Sequence, residues 1–163
     1  MKFIFTIIFV ALTFASFANI SDTIKLYNPN ANAKNDIDSI VRLTKKNGKH
    51  TLLMIGGNWC SWCIKFNKFV KKDSQLDSAL NTNFELYHMN HSKENKNTEL
   101  LAKYGFPQRF GFPVFIVLDA KGNRIHTQNS AYLEEEKGYS KAKVLEFFTQ
   151  WNAKALKAEN YTD

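Results

Sequence analysis

Cysteine is almost absent from this sequence, which has two among 163 residues, Cys60 and Cys63. A crosslink stabilises most when it closes a long loop, and this pair closes almost none, so it is a poor structural staple. No histidine follows the second cysteine, whose neighbour is Ile64, and covalent haem attachment is excluded. There is no glycine-rich phosphate loop and no serine-nucleophile motif. The formal charge is +7, yet no dense basic run exists. The lysines are scattered, with Lys45-Lys46 and Lys71-Lys72 the adjacent pairs, so they read as solvated surface and nucleic acid is not an expected partner. Internal repeats, linkers and low-complexity stretches are also missing.

One long uncharged apolar run is present, at residues 3–17. Lys2 precedes it, and Ser16-Phe17-Ala18 places small residues at −3 and −1 of a cleavage site. Residues 1–18 are therefore expected to be a cleaved signal peptide, short of the roughly 20 apolar residues that span a membrane. No cysteine follows the run to carry a lipid. The expectation is a single domain over residues 19–163, periplasmic or secreted. Nine of the fourteen phenylalanines fall within it and supply core material.

Along the chain, Thr23-Ile24-Lys25-Leu26-Tyr27 alternates weakly and predicts a first strand, broken at Asn28-Pro29-Asn30. Ile37, Ile40, Val41 and Thr44 recur at helical spacing up to Asn47-Gly48. Thr51-Leu52-Leu53-Met54-Ile55 reads as a buried strand. Gly56-Gly57-Asn58 then turns the chain into Trp59-Cys60-Ser61-Trp62-Cys63, and a helix is predicted from about Cys60 to Lys72. A further helical turn carries Leu76, Ala79 and Leu80. Strands are predicted at 84–89, 112–118 and 124–128, the last two joined by a turn at 119–123. Helices are predicted at 95–104 and from Ser140, the latter with Val144, Phe147, Phe148, Trp151 and Leu156 on its apolar side. The predicted order is β-α-β-α-β-α-β-β-α.

Two thiols three positions apart at a strand-to-helix join form a redox device. The element order and Trp59-Cys60-Ser61-Trp62-Cys63 together resemble the thioredoxin family, over nearly all of residues 19–163. Phe112-Pro113-Val114 resembles that family's cis-proline segment, and Asp119-Ala120-Lys121-Gly122-Asn123 its hairpin turn. The resemblance implies an α/β fold with a central mixed sheet flanked by helices. There are departures. The family's cytoplasmic reductases carry a buried acid six residues before the first cysteine, where this chain has Met54. Ser61-Trp62 is neither the Gly-Pro of those reductases nor the x-His of strong oxidases. Residues 105–111 and 129–138 look like insertions.

The resemblance further implies thiol–disulfide exchange on proteins. Cys60, at a helix N-terminus that favours a thiolate, would attack, and Cys63 would resolve the mixed disulfide. Trp59, Trp62, Phe112 and Pro113 would contact substrate. Trp59 is expected to have the more core-like role and Trp62 to face solvent. The reductase direction is preferred, with oxidase and isomerase open. No cofactor is implied. The expected partners are protein thiols and disulfides and a redox partner, for which a membrane electron donor is one candidate, and the expected state is a monomer. The alternative is a metal-binding relative that holds Cu(I) with the same dithiol. His88 and His91 form His-x2-His but need not converge, so no metal site is assigned to them. Glu134-Glu135-Glu136 reads as a solvated loop and Asp36 and Asp38 as helix-cap chemistry.

Overall fold

Strand β1 (His50–Gly56) is buried along its whole length and runs through the middle of the molecule. In the computed structural model of the chain, residues 25–162 are described. The signal-peptide reading and the first part of the predicted first strand lie outside them. Strand β2 (Phe84–Asn90) pairs parallel to β1, and β3 (Val114–Leu118) pairs antiparallel to it on the other side. Strand β4 (Arg124–Asn129) pairs antiparallel to β3, which gives the order β2-β1-β3-β4. The sheet is mixed, as the resemblance implies.

Helices cover both faces, which is why β1 and β3 are continuously buried rather than alternating. Leu52 and Met54 of β1 point into one core, with Phe66 and Val70 from α2 (Ser61–Lys72) and Leu76 and Leu80 from α3 (Ser74–Asn83). Val144, Phe147 and Phe148 from α5 (Lys141–Gln150) complete it. Leu53 and Ile55 point into the other core, against Ile37 of α1 (Ala33–Asn47) and Leu100 and Leu101 of α4 (Thr98–Lys103). Local chemistry sets the ends of these elements. The Asn32 side chain caps α1, and Gly48 closes it in the left-handed conformation that suits glycine. Asp73 accepts from the amides of Gln75 and Leu76 to start α3.

Four expectations are corrected. Residues 25–28 form no strand, because the Tyr27 backbone bonds to a side chain, Asn58, and not to a neighbouring strand. The predicted helix at 95–104 begins only at Thr98, since Asn97 is left-handed. Helix α5 ends at Gln150, which leaves Leu156 about half exposed beyond its apolar face. The acidic stretch is a small hairpin, β5 (Glu134–Glu135) with β6 (Gly138–Tyr139).

Candidate active site

The C-terminal end of β1 opens directly onto the cysteines. Gly56 is required there: a Cβ at this position would stand 2.4 Å from Cys63 Sγ and 2.8 Å from the Tyr27 hydroxyl oxygen. The turn that follows is closed by the Cys60 amide donating to the Gly57 carbonyl at 2.9 Å. Cys60 is the N-cap of α2, and its sulfur accepts from the Cys63 amide at 3.1 Å. An N-capping atom faces unpaired amides and the positive end of the helix dipole, both of which favour negative charge. The two residues form a disulfide with Cα atoms 5.3 Å apart. Cys60 is 5% exposed and Cys63 is fully buried, so one sulfur lies nearer the surface than the other.

The register of β3 brings a second segment to the same place. Val114 pairs with Ile55, so Pro113 and Phe112 stand beside the end of β1 that carries Gly56. The Phe112–Pro113 peptide is cis, as expected. Phe112 sits at the centre of an aromatic group. The Trp59 indole meets it edge-on at 5.3 Å, and the His91 ring stacks on it at 5.1 Å. The Trp59 indole N–H donates to the His91 carbonyl at 2.9 Å, and His91 Nδ1 lies 2.9 Å from the Lys96 carbonyl.

The expected roles of the two tryptophans are reversed. Trp59 is 58% exposed and forms the surface beside Cys60. Trp62 is half-buried, because the hairpin at 134–139 folds back over the start of α2. Tyr139 meets the Trp62 ring edge-on at 5.5 Å and donates to its carbonyl at 3.3 Å. Lys65 covers the Trp62 ring at 4.3 Å and donates to the Lys137 carbonyl. The segment at 105–111 ends directly before Phe112. It holds a 3₁₀ turn (Pro107–Phe110) in which Arg109 lies over the Phe110 ring and donates to the Gly105 and Phe106 carbonyls.

Among the described residues, the cluster that packs with the sulfurs is apolar. Met54 is buried in the cluster that contains both cysteines. His88 pairs with Met54 across the strands, and its Nε2 is buried without a partner among the described residues. Burial lowers the His88 pKa, and the Lys71 charge lowers it further. Tyr27 meets the His88 ring edge-on at 5.5 Å, and burial pushes its hydroxyl pKa far up. The two histidines have separate surroundings, and among the described residues no group of three or more His, Cys, Asp or Glu is placed to hold a metal. Sequence reasoning missed Tyr27, Asn58 and the stacking role of His91. None carries a local pattern, since each acts through a contact more than twenty residues away in the chain.

A family model described as a thioredoxin-like domain matches residues 37–143, which include both cysteines, Pro113 and all four strands of the sheet. The chain belongs to the thioredoxin-like family. Among solved structures, the disulphide isomerase from Xylella fastidiosa Temecula1 shares 25% identity. It superposes with a TM-score of 0.67 over 76% of this chain and 94% of its own. The C-terminal domain of Neisseria meningitidis DsbD in its oxidised form shares the fold, with a TM-score of 0.54 at 19% identity over 75% and 97% of the two chains. In sequence, the disulfide bond reductase DsbH of Chlamydia pneumoniae is 29% identical over 82 residues, 45% of this chain and 48% of the relative. The match therefore spans about half the length of that curated relative.

Proposed function

We propose that this chain is an exported thiol–disulfide oxidoreductase acting on proteins, with Cys60 as nucleophile and Cys63 as resolving thiol. The observation that carries the reading is the asymmetry of the pair: the Cys60 sulfur caps a helix, and Cys63 lies fully buried behind it. In the reducing direction, the Cys60 thiolate attacks a substrate disulfide. One substrate sulfur leaves as a thiolate, and a Cys60–substrate disulfide forms. Cys63 then gives up its proton and attacks Cys60 Sγ. The Cys60–Cys63 bond forms, the second substrate sulfur leaves, and each substrate thiolate takes up a proton. The substrate gains two electrons and the pair loses two.

Trp59, Phe112 and Pro113 form the substrate-facing surface, with Trp62 supporting it from below. An extended peptide laid beside Pro113 would pair with the backbone there as an added strand. The name of the sequence relative, a disulfide bond reductase, favours the reducing direction. The charged-then-apolar leader at residues 1–18 supports an exported, oxidising compartment, where a redox partner would have to restore the dithiol.

The test is insulin reduction with dithiothreitol by the chain lacking residues 1–18, compared with Cys60→Ser and Cys63→Ser. The expected result is loss of catalysis in both, with a long-lived substrate adduct trapped only in Cys63→Ser. Full activity of Cys60→Ser overturns the assignment.

A further inference from the structure

Tyr27 reaches the cysteine pair from a part of the chain that no redox motif includes. It is only 2% exposed, and among the described residues its hydroxyl has no hydrogen-bond partner. A buried hydroxyl without a partner is costly and calls for a reason. The hydroxyl oxygen and Cys63 Sγ border one and the same space, the one that Gly56 leaves open by lacking a Cβ. The backbone that carries Tyr27 is fixed there by Asn58, two residues before Cys60.

We propose that Tyr27 is the hydrogen-bond donor to the Cys63 sulfur once the pair is reduced, and so helps Cys63 to act as the resolving thiol. The inference rests on the exchange reading above. In the disulfide the Cys63 sulfur is uncharged and a weak acceptor, and the Tyr27 hydroxyl stays unsatisfied. When a partner dithiol reduces the pair, that partner is oxidised to its own disulfide, each cysteine sulfur accepts an electron, and Cys63 takes up a proton released by the partner to become a thiol. On its way to attack Cys60 that thiol must release its proton, and burial opposes the resulting charge. A hydroxyl donor offsets this cost, because hydrogen bonds to an ionised acceptor are the strong ones. Met54, and not a carboxylate, stands on the strand below. The neighbouring imidazole, His88, is kept neutral by its burial. The hydroxyl therefore stabilises the dithiol form and is without a partner in the disulfide form.

The test is the equilibrium of the Cys60–Cys63 pair with glutathione at one pH, in the unmodified chain and in Tyr27→Phe, which removes only the hydroxyl. The expected shift is about five- to tenfold towards the disulfide, where tenfold corresponds to about 30 mV more reducing. In stopped flow, decay of the Cys60 mixed disulfide should slow several-fold in Tyr27→Phe, while its formation stays within twofold. An unchanged equilibrium with unchanged decay overturns the inference. If Tyr27→Phe fails to fold, the unmodified chain serves. With ring-deuterated tyrosine, its reduced-minus-oxidised infrared spectrum should show one tyrosine C–O band moving on reduction, and no such band overturns the inference. A pair that will not equilibrate with glutathione in the unmodified chain overturns the oxidoreductase reading as well. A pair that equilibrates but ignores Tyr27 overturns this inference alone.

Discussion

The side chain of Asn58 holds both backbone polar groups of Tyr27, donating to its carbonyl at 2.8 Å and accepting from its amide at 3.0 Å. A β-ladder would have supplied the same two bonds from another strand. Here one amide side chain, two residues before Cys60, takes over, and the backbone at Tyr27 is fastened to the site. Asn58→Ala removes both bonds, each worth roughly 1 kcal/mol net. The expected outcome is a loss of about 2 kcal/mol in chemical denaturation. Faster amide exchange should be confined first to residues 25–32.

Gly56 tests how tightly the sulfurs are packed. A methyl at this position meets Cys63 Sγ and the Tyr27 hydroxyl at distances no Cβ tolerates. Overpacking of this kind costs about 1–3 kcal/mol. Gly56→Ala should lower the unfolding free energy of the oxidised chain, and Gly138→Ala, with nothing within 4 Å, should change it by less than about 0.5 kcal/mol. Equal effects from the two would refute this account of the glycine.

Trp59 lies on the surface but is hydrogen-bonded to His91 and packed on Phe112. Trp59→Ala should cost about 1 kcal/mol of stability or less. Its larger effect should be on kcat/KM for a protein disulfide, lowered several-fold, with exchange against a small disulfide reagent little changed. Equal losses on both substrates would show that the indole acts on the sulfur chemistry and not on docking.

The cysteine pair was legible from its spacing, while the cis proline and the mixed sheet were legible only through the resemblance to the thioredoxin family that the motif and the element order carry. The burial of the two tryptophans was not legible. Trp62 is covered by Tyr139, seventy-seven residues later, and nothing near Cys60 indicates this. His91 drew attention as one half of His-x2-His, yet its ring is committed to Phe112 and its Nδ1 to the Lys96 carbonyl. Residues 25–27 alternate as a strand does, but their partner is a side chain, which period-two patterning does not detect.

Two histidines set the response to mild acid. Burial lowers the pKa of His88 and of His126, although Gln128 partly counteracts it at His126. The unfolded chain therefore binds protons that the folded chain refuses. The stability these neutral rings contribute is fully present above the unfolded value near 6.5 and is lost as pH falls through the lowered folded values. Denaturation midpoints should fall between pH 7.5 and pH 5, and His88→Phe should flatten the slope. A slope that is unchanged in His88→Phe would rule out its share.

The two ends of β1 have unlike duties. His50 at its start lies 2.8 Å from the Trp151 carbonyl, and Gly56 at its finish opens onto the sulfurs. The carboxy-terminal stretch thus sits at the far pole of the sheet, while the strap at Tyr27 is tied to the redox turn itself. An affinity handle or a fluorescent fusion placed after Tyr161 leaves the sulfurs undisturbed. The same handle placed just before Lys25 pulls on the turn that aims Cys60.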